Sequence, residues 1–156
     1  MTFLFDFFVV NARLRSLLGQ TMAGAGLRAD EYAVYSAVVR DGPVTVTALA
    51  RTLGMPLATT SDYLRTMTSR GHVRRYRNPD DNRSYLVVAT DAGTAAHRAA
   101  QVAFHSVFDR VQEVLTIPDA ELVRALDALA DAVRTVQEEL TDPEPGRRRP
   151  RPSLPG

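Results

Sequence analysis

Residues 44–90 constrain the fold more tightly than any other part of the chain. In VTVTALARTLGM, Thr45 or Thr47 can serve as an N-cap, Leu49, Ala50 and Leu53 recur at helical spacing, and Gly54 closes the segment. A second helix is predicted in PLATTSDYLRTMTSRG, with Pro56 in its first turn and Gly71 as its C-cap. Two short helices joined across a tight Gly-containing turn make a helix-turn-helix. Next come HVRRYR and SYLVVA, rich in β-branched and aromatic residues, on either side of the turn-forming NPDDN. They predict a two-stranded hairpin, placed as a wing beside the second helix.

The second helix divides into two faces. Thr60, Leu64 and Met67 recur at spacings of four and three and are expected to point inward. Ala58, Thr59, Ser61, Asp62 and Arg65 then point outward. Small and hydroxyl side chains let a backbone approach base edges in a major groove, where Thr, Ser and Arg hydrogen-bond and Ala touches a thymine methyl. The charge distribution agrees. Residues 44–88 hold seven arginines (51, 65, 70, 74, 75, 77 and 83) and three aspartates (62, 80 and 81), although the whole chain is only +1. A basic segment in an otherwise acidic chain is the footprint expected for a polyphosphate partner, here double-stranded DNA.

Composition removes several alternatives. There is no cysteine, so disulfides, thiolate ligands, cysteine nucleophiles and thiol redox sensing are excluded, and a reducing cytoplasm is the expected compartment. Lysine is absent as well, which excludes Schiff-base chemistry and leaves anion recognition to guanidinium groups and backbone amides. The three histidines, His72, His97 and His105, accompany no G-x-S-x-G, no phosphate loop and no paired-carboxylate motif. His105 and Asp109 fall at i, i+4 with His97 two turns earlier, but no neighbouring ligand pair completes a metal set. Neither an enzyme nor a cofactor is expected.

The flanks read as helices. FLFDFFVV is too short to span a bilayer and lacks the basic start of a signal peptide, so no membrane association is expected. It opens a helix from about Phe3 to Met22 with Phe7, Val10, Leu14 and Leu17 on one stripe, widened by Phe3, Phe5 and Phe8 beyond what a small monomer hides. Leu27–Arg40 forms a further helix with Asp30 as N-cap and Tyr32, Tyr35 (or Val34) and Val38 or Val39 inward. A long helix covers Asp91–Leu115, and Thr116 caps the last one. There Leu122, Leu126, Leu129, Val133, Val136 and Leu140 follow at intervals of 4, 3, 4, 3 and 4, the pattern of a helix-packing seam. The expected organisation is a single domain over 1–140, with dimerisation helices at 1–25 and 116–140, a winged helix-turn-helix at 27–90 and a connecting helix at 91–115. The Pro/Arg-rich tail, 141–156, is too polar to build a core and is expected to be disordered.

With these residues in place, the chain resembles the MarR family of winged-helix transcriptional regulators. That family's wing carries a P-x-D-x-R element, matched by Pro79, Asp81 and Arg83, and opens its next helix with a threonine, an acidic residue and a glycine, matched by Thr90, Asp91 and Gly93. The resemblance covers about residues 5–140. It implies a mainly α fold with a small β-hairpin wing, and a homodimer on a pseudo-palindromic operator, acting as a repressor. It also implies that Arg83 enters a minor groove, held in its working direction by a carboxylate pair with Asp81, while Arg75 and Arg77 supply the wing's remaining charge. Family members often bind aromatic acids, phenols or antibiotics where the dimerisation helices meet the DNA-binding lobe, and Arg15, Tyr35 and His97 are the polar candidates here. Two departures stand out: Asn82 replaces a frequent second arginine, and Asp62 lies where a basic residue is common. The rival reading is a dimeric protein- or surface-interaction module that keeps the fold without specific DNA binding.

Overall fold

The computed structural model describes residues 2–141. Six helices and three short strands follow in the order α1 (Phe3–Met22), α2 (Ala29–Asp41), β1 (Val44–Thr45), α3 (Val46–Leu53), α4 (Leu57–Ser69), β2 (Val73–Arg77), β3 (Tyr85–Ala89), α5 (Asp91–Val114) and α6 (Asp119–Thr141). The described residues fall into two compact units, 2–111 and 112–141. The fold is mainly helical with a small winged sheet, as expected. Among the described residues no helix is long and apolar enough to cross a membrane.

The core of the first unit is built where α2, α3, α4 and the sheet converge. Val34, Leu49, Leu64 and Val87 are fully buried there, with Tyr35, Val38 and Met67 almost so. Hiding a side chain of this size contributes about 1.5–3 kcal/mol. The helix boundaries follow local chemistry. Thr45 Oγ1 accepts from the Ala48 amide at 3.1 Å and starts α3, and Gly54 ends it in the left-handed region at φ 60°. A side chain at Gly54 would have to adopt a backbone geometry that costs roughly 1–2 kcal/mol.

Several expectations are corrected. The hairpin gains a third strand: β1 pairs antiparallel with β3, Val44 opposite Val87 and Thr45 opposite Leu86, so the order is β1-β3-β2. Asp30 is not the cap of α2. Arg28 takes that position in extended backbone, and its amide donates to Glu31 Oε2 at 3.0 Å. Pro56 precedes α4 and does not lie in its first turn, and Arg70 is the C-cap, with Gly71 following at φ 71°. Thr116 does not cap α6, which begins at Asp119 with the Pro118 carbonyl accepting from Glu121 and Leu122. Thr141 belongs to α6, and the rest of the expected disordered tail, 142–156, lies outside the described residues.

The start of α5 is fastened to the root of the wing. Thr90 donates its amide to the His72 carbonyl at 3.0 Å and its hydroxyl to the Gly71 carbonyl at 2.8 Å, while accepting from the Gly93 amide at 3.1 Å. A Cβ at Gly93 would lie 2.0 Å from the His72 carbonyl oxygen, so the two backbones meet with no room for a side chain. α6, in the second unit, has a different character. Leu122 and Leu129 are half-buried, Val123, Leu126, Val133, Val136 and Leu140 are exposed, and no residue of the helix is buried.

Candidate nucleic-acid interface

α4 is held by its inner face and presents its outer one. Thr60, Leu64 and Met67 are at most 2% exposed, and the buried Thr60 hydroxyl is satisfied by donating to the Pro56 carbonyl at 3.2 Å. Ala58, Thr59, Asp62 and Arg65 are exposed. Ser61 is half-buried and donates its hydroxyl to the Leu57 carbonyl at 2.8 Å, so it offers a partner lone pairs while its proton is engaged. Asp62 and Arg65 are paired one turn apart, Oδ1 to Nη1 at 2.7 Å.

The C-terminal end of α4 is pinned to α2. Arg70 Nη1 lies 3.2 Å from Glu31 Oε1, the carboxylate being mostly buried and the guanidinium partly exposed. The Tyr35 hydroxyl, and to a lesser extent Glu31, hold the Arg70 guanidinium above its ordinary value against the opposing effect of burial. Two residues on, Tyr35 Oη and His72 Nδ1 share a 2.7 Å hydrogen bond that anchors the chain as it enters β2. These partners stand 39 and 37 positions apart in the sequence. No local pattern announces them.

The wing tip is shaped by side chains acting on backbone. Asn78 Oδ1 accepts from the Asp80 amide at 3.1 Å, and Asp81 Oδ1 accepts from the Arg83 amide at 3.0 Å. This alters the role expected of Asp81. Its carboxylate fixes the turn through the Arg83 backbone and does not pair with the guanidinium. The Arg83 side chain has no hydrogen-bond or ion-pair partner among the described residues and is exposed. Arg77 is committed locally: its Nη1 donates to the Asn82 carbonyl at 3.3 Å, and its guanidinium lies 5.8 Å from the centre of the Tyr85 ring. Arg75, across β3 from the buried Val87, lines a shallow groove with Ser61, Arg65, Thr68 and Ser69 of α4. Thr68 and Ser69 are additions to the sequence reading.

The three ligand candidates are not brought together. Arg15 lines a cleft of about 930 Å³ with Met22, Leu27, Asp30, Tyr63 and Arg70. There Asp30 Oδ2 meets both Arg15 Nη2 at 3.5 Å and the Tyr63 hydroxyl at 3.3 Å. Tyr35 is 1% exposed and belongs to the core. His97 stacks on Tyr32, which in turn stacks on Phe104. Ser36 gives its proton to the Tyr32 carbonyl, which leaves the hydroxyl oxygen to accept from His97 Nε2–H at 3.0 Å. Burial, then the charge of His105, pushes the His97 imidazole below its usual range. Among the described residues no group of three His, Cys, Asp or Glu side chains is placed to hold a metal.

Comparison with solved structures identifies the architecture. A probable transcriptional regulator from Pseudomonas aeruginosa is 26% identical, with a TM-score of 0.68 over 83% of this chain and 96% of that one. A mutant of MarR from E. coli, complexed with operator DNA, is also 26% identical, with a TM-score of 0.66 over 81% and 89%. The fold is that of the MarR-family winged-helix regulators. PcaV from Streptomyces coelicolor, solved in complex with its natural ligand, shares the MarR architecture at 23% identity, with a TM-score of 0.67 over 80% and 91%. The family model described as the sugar-specific transcriptional regulator TrmB matches residues 22–92, the winged-helix part. No curated protein matches the sequence. Several of the solved structures similar to this chain are described as transcriptional regulators, and three of them were solved in complex with DNA.

Proposed function

We propose that this chain is a sequence-specific DNA-binding transcriptional regulator, acting as a homodimeric repressor that a small organic ligand releases. One observation carries the reading: a helix with a polar, exposed face, anchored through a buried one, stands beside a wing whose tip arginine has no partner among the described residues. A guanidinium tethered to a fixed turn and otherwise uncommitted suits a narrow minor groove, where phosphates of both strands concentrate negative potential. α4 then lies in the adjacent major groove with Ala58, Thr59, Asp62 and Arg65 toward base edges, and Arg75 against phosphate.

Dimerisation is supported by apolar surface left open in each unit. Phe3, Phe5, Phe8 and Val10 of α1 are each at least half exposed, and α6 leaves Leu126, Val133, Val136 and Leu140 uncovered. A second copy would bury these stripes and set two α4 helices against two half-sites about one helical turn apart.

For the ligand we retain Arg15, which lines the cleft, and set aside Tyr35 and His97, since Tyr35 is buried in the core and neither residue lines that cleft. An organic acid in the cleft would draw Arg15 away from Asp30, the residue that also holds Tyr63 of α4. Release of DNA then requires that the ligand prefer the disturbed arrangement, because equal affinity for both states shifts nothing.

Selection of bound sequences from random duplex DNA, followed by a salt titration, tests the proposal. It should return a pseudo-palindrome, and Arg83→Ala should weaken binding to that site by about 1–3 kcal/mol with the fold intact. Failure to enrich any sequence would overturn the reading.

A further inference from the structure

The paired Asp62 and Arg65 occupy the middle of the exposed face of α4. The carboxylate and guanidinium are 2.7 Å apart, yet their side chains remain 67% and 76% exposed. An exposed pair at this spacing is weak and opens readily. No other ion pair engages either side chain among the described residues. Arg65 also lines the shallow groove together with Arg75, so two arginines border it.

Resting on the DNA-binding reading above, we propose that Asp62 and Arg65 act as a specificity gate, closed on each other off target and opened by a cytosine–guanine base pair. Against an arbitrary sequence the pair stays shut. The carboxylate cancels the arginine's attraction to phosphate, and the centre of the reading face contributes no net charge to nonspecific binding. At the correct site the cytosine N4 amino group donates to Asp62, and Arg65 turns its fork to guanine O6 and N7. The spacing permits this, because three residues rise about 4.5 Å along a helix, close to the roughly 3.4 Å between stacked base pairs. The two side chains can therefore reach the two edges of one base pair, or neighbouring pairs. A carboxylate cannot accept from a thymine O4, so replacing C·G by T·A leaves an acceptor facing an acceptor.

Sequence selection and salt titration on the full chain, as wild type, Asp62→Asn and Asp62→Glu, test the gate. The wild type should select a fixed C·G pair in each half-site, with a preference over T·A on the order of tenfold or more. Asp62→Asn should lose that preference, bind random duplex DNA several-fold more tightly, and steepen the log–log salt dependence by roughly one, the value expected for one more neutralised phosphate. Asp62→Glu, which keeps the charge, should retain the shallow slope. The gate is overturned if Asp62→Asn selects the wild-type sequence with an unchanged slope, in which case Asp62 serves only the helix. Those outcomes leave the DNA-binding reading standing, whereas a wild type that enriches no sequence removes both.

Discussion

In α4, Thr60, Leu64 and Met67 recur every three or four residues and are at most 2% exposed; in α6, six aliphatic residues recur at the same spacing and none is buried. Periodicity specifies that a helix has an apolar side. It does not specify what covers that side. For α4 the cover is intramolecular, from α2, α3 and the sheet, whereas for α6 the stripe remains open surface far longer than a soluble chain ordinarily tolerates without a use.

The comparison predicts substitutions with separable consequences. Leu64→Ala empties a fully enclosed position and should destabilise the fold by about 2–5 kcal/mol, read from denaturant unfolding. Next in size is Leu126→Glu combined with Val133→Glu. If a second copy covers α6, the variant should sediment as a monomer and lose at least about tenfold in affinity for a two-half-site operator, with helical content preserved. A wild type that is already monomeric would break the comparison, because α6 would then need another partner.

The smallest effect concerns His97, whose imidazole is held below its usual range by burial and by the charge of His105. The unfolded chain therefore takes up a proton there before the folded chain does. The stability contributed by neutral His97 is complete above its unfolded value of about 6.5 and is lost as the pH falls through the lower folded value. In His97→Gln the acid-side decline in melting temperature should be shallower than in wild type. Parallel curves for the two proteins would show that Ser36 and Tyr32 tolerate the charged ring.

What could be read from the sequence follows the same division. α1 was bounded correctly at Phe3 and Met22, and the left-handed Gly54 and the two faces of α4 were legible, because each depends on residues within a turn or two. β1 was missed because Val44 and Thr45 are too short a run to alternate, and their strand character comes from Val87 and Leu86, more than forty positions away. Asp30 has good capping chemistry, but Glu31 reached the free amide of Arg28 first and moved the helix start. Tyr35 looked available to a ligand only because its partner, His72, lies on a different element. At the wing, P-x-D-x-R was visible as a motif, while the atom that Asp81 holds was not.

The junction at Gly93 has a kinetic consequence. With Thr90 bonded to Gly71 and His72, and the α5 backbone pressed against the His72 carbonyl, the root of the wing and the end of α4 are set before any partner arrives. On the function proposed above, little is left to order on contact with DNA except the Arg83 side chain at the wing tip. Association should then be a single bimolecular phase, governed by orientation and charge steering and slowed by added salt, with no lag for assembly of the reading surface. Larger residues at Gly93 would pry the two backbones apart and make the wing an element that must find its place during each encounter, so that the damage would appear in the rate of capture as well as in the lifetime of the complex.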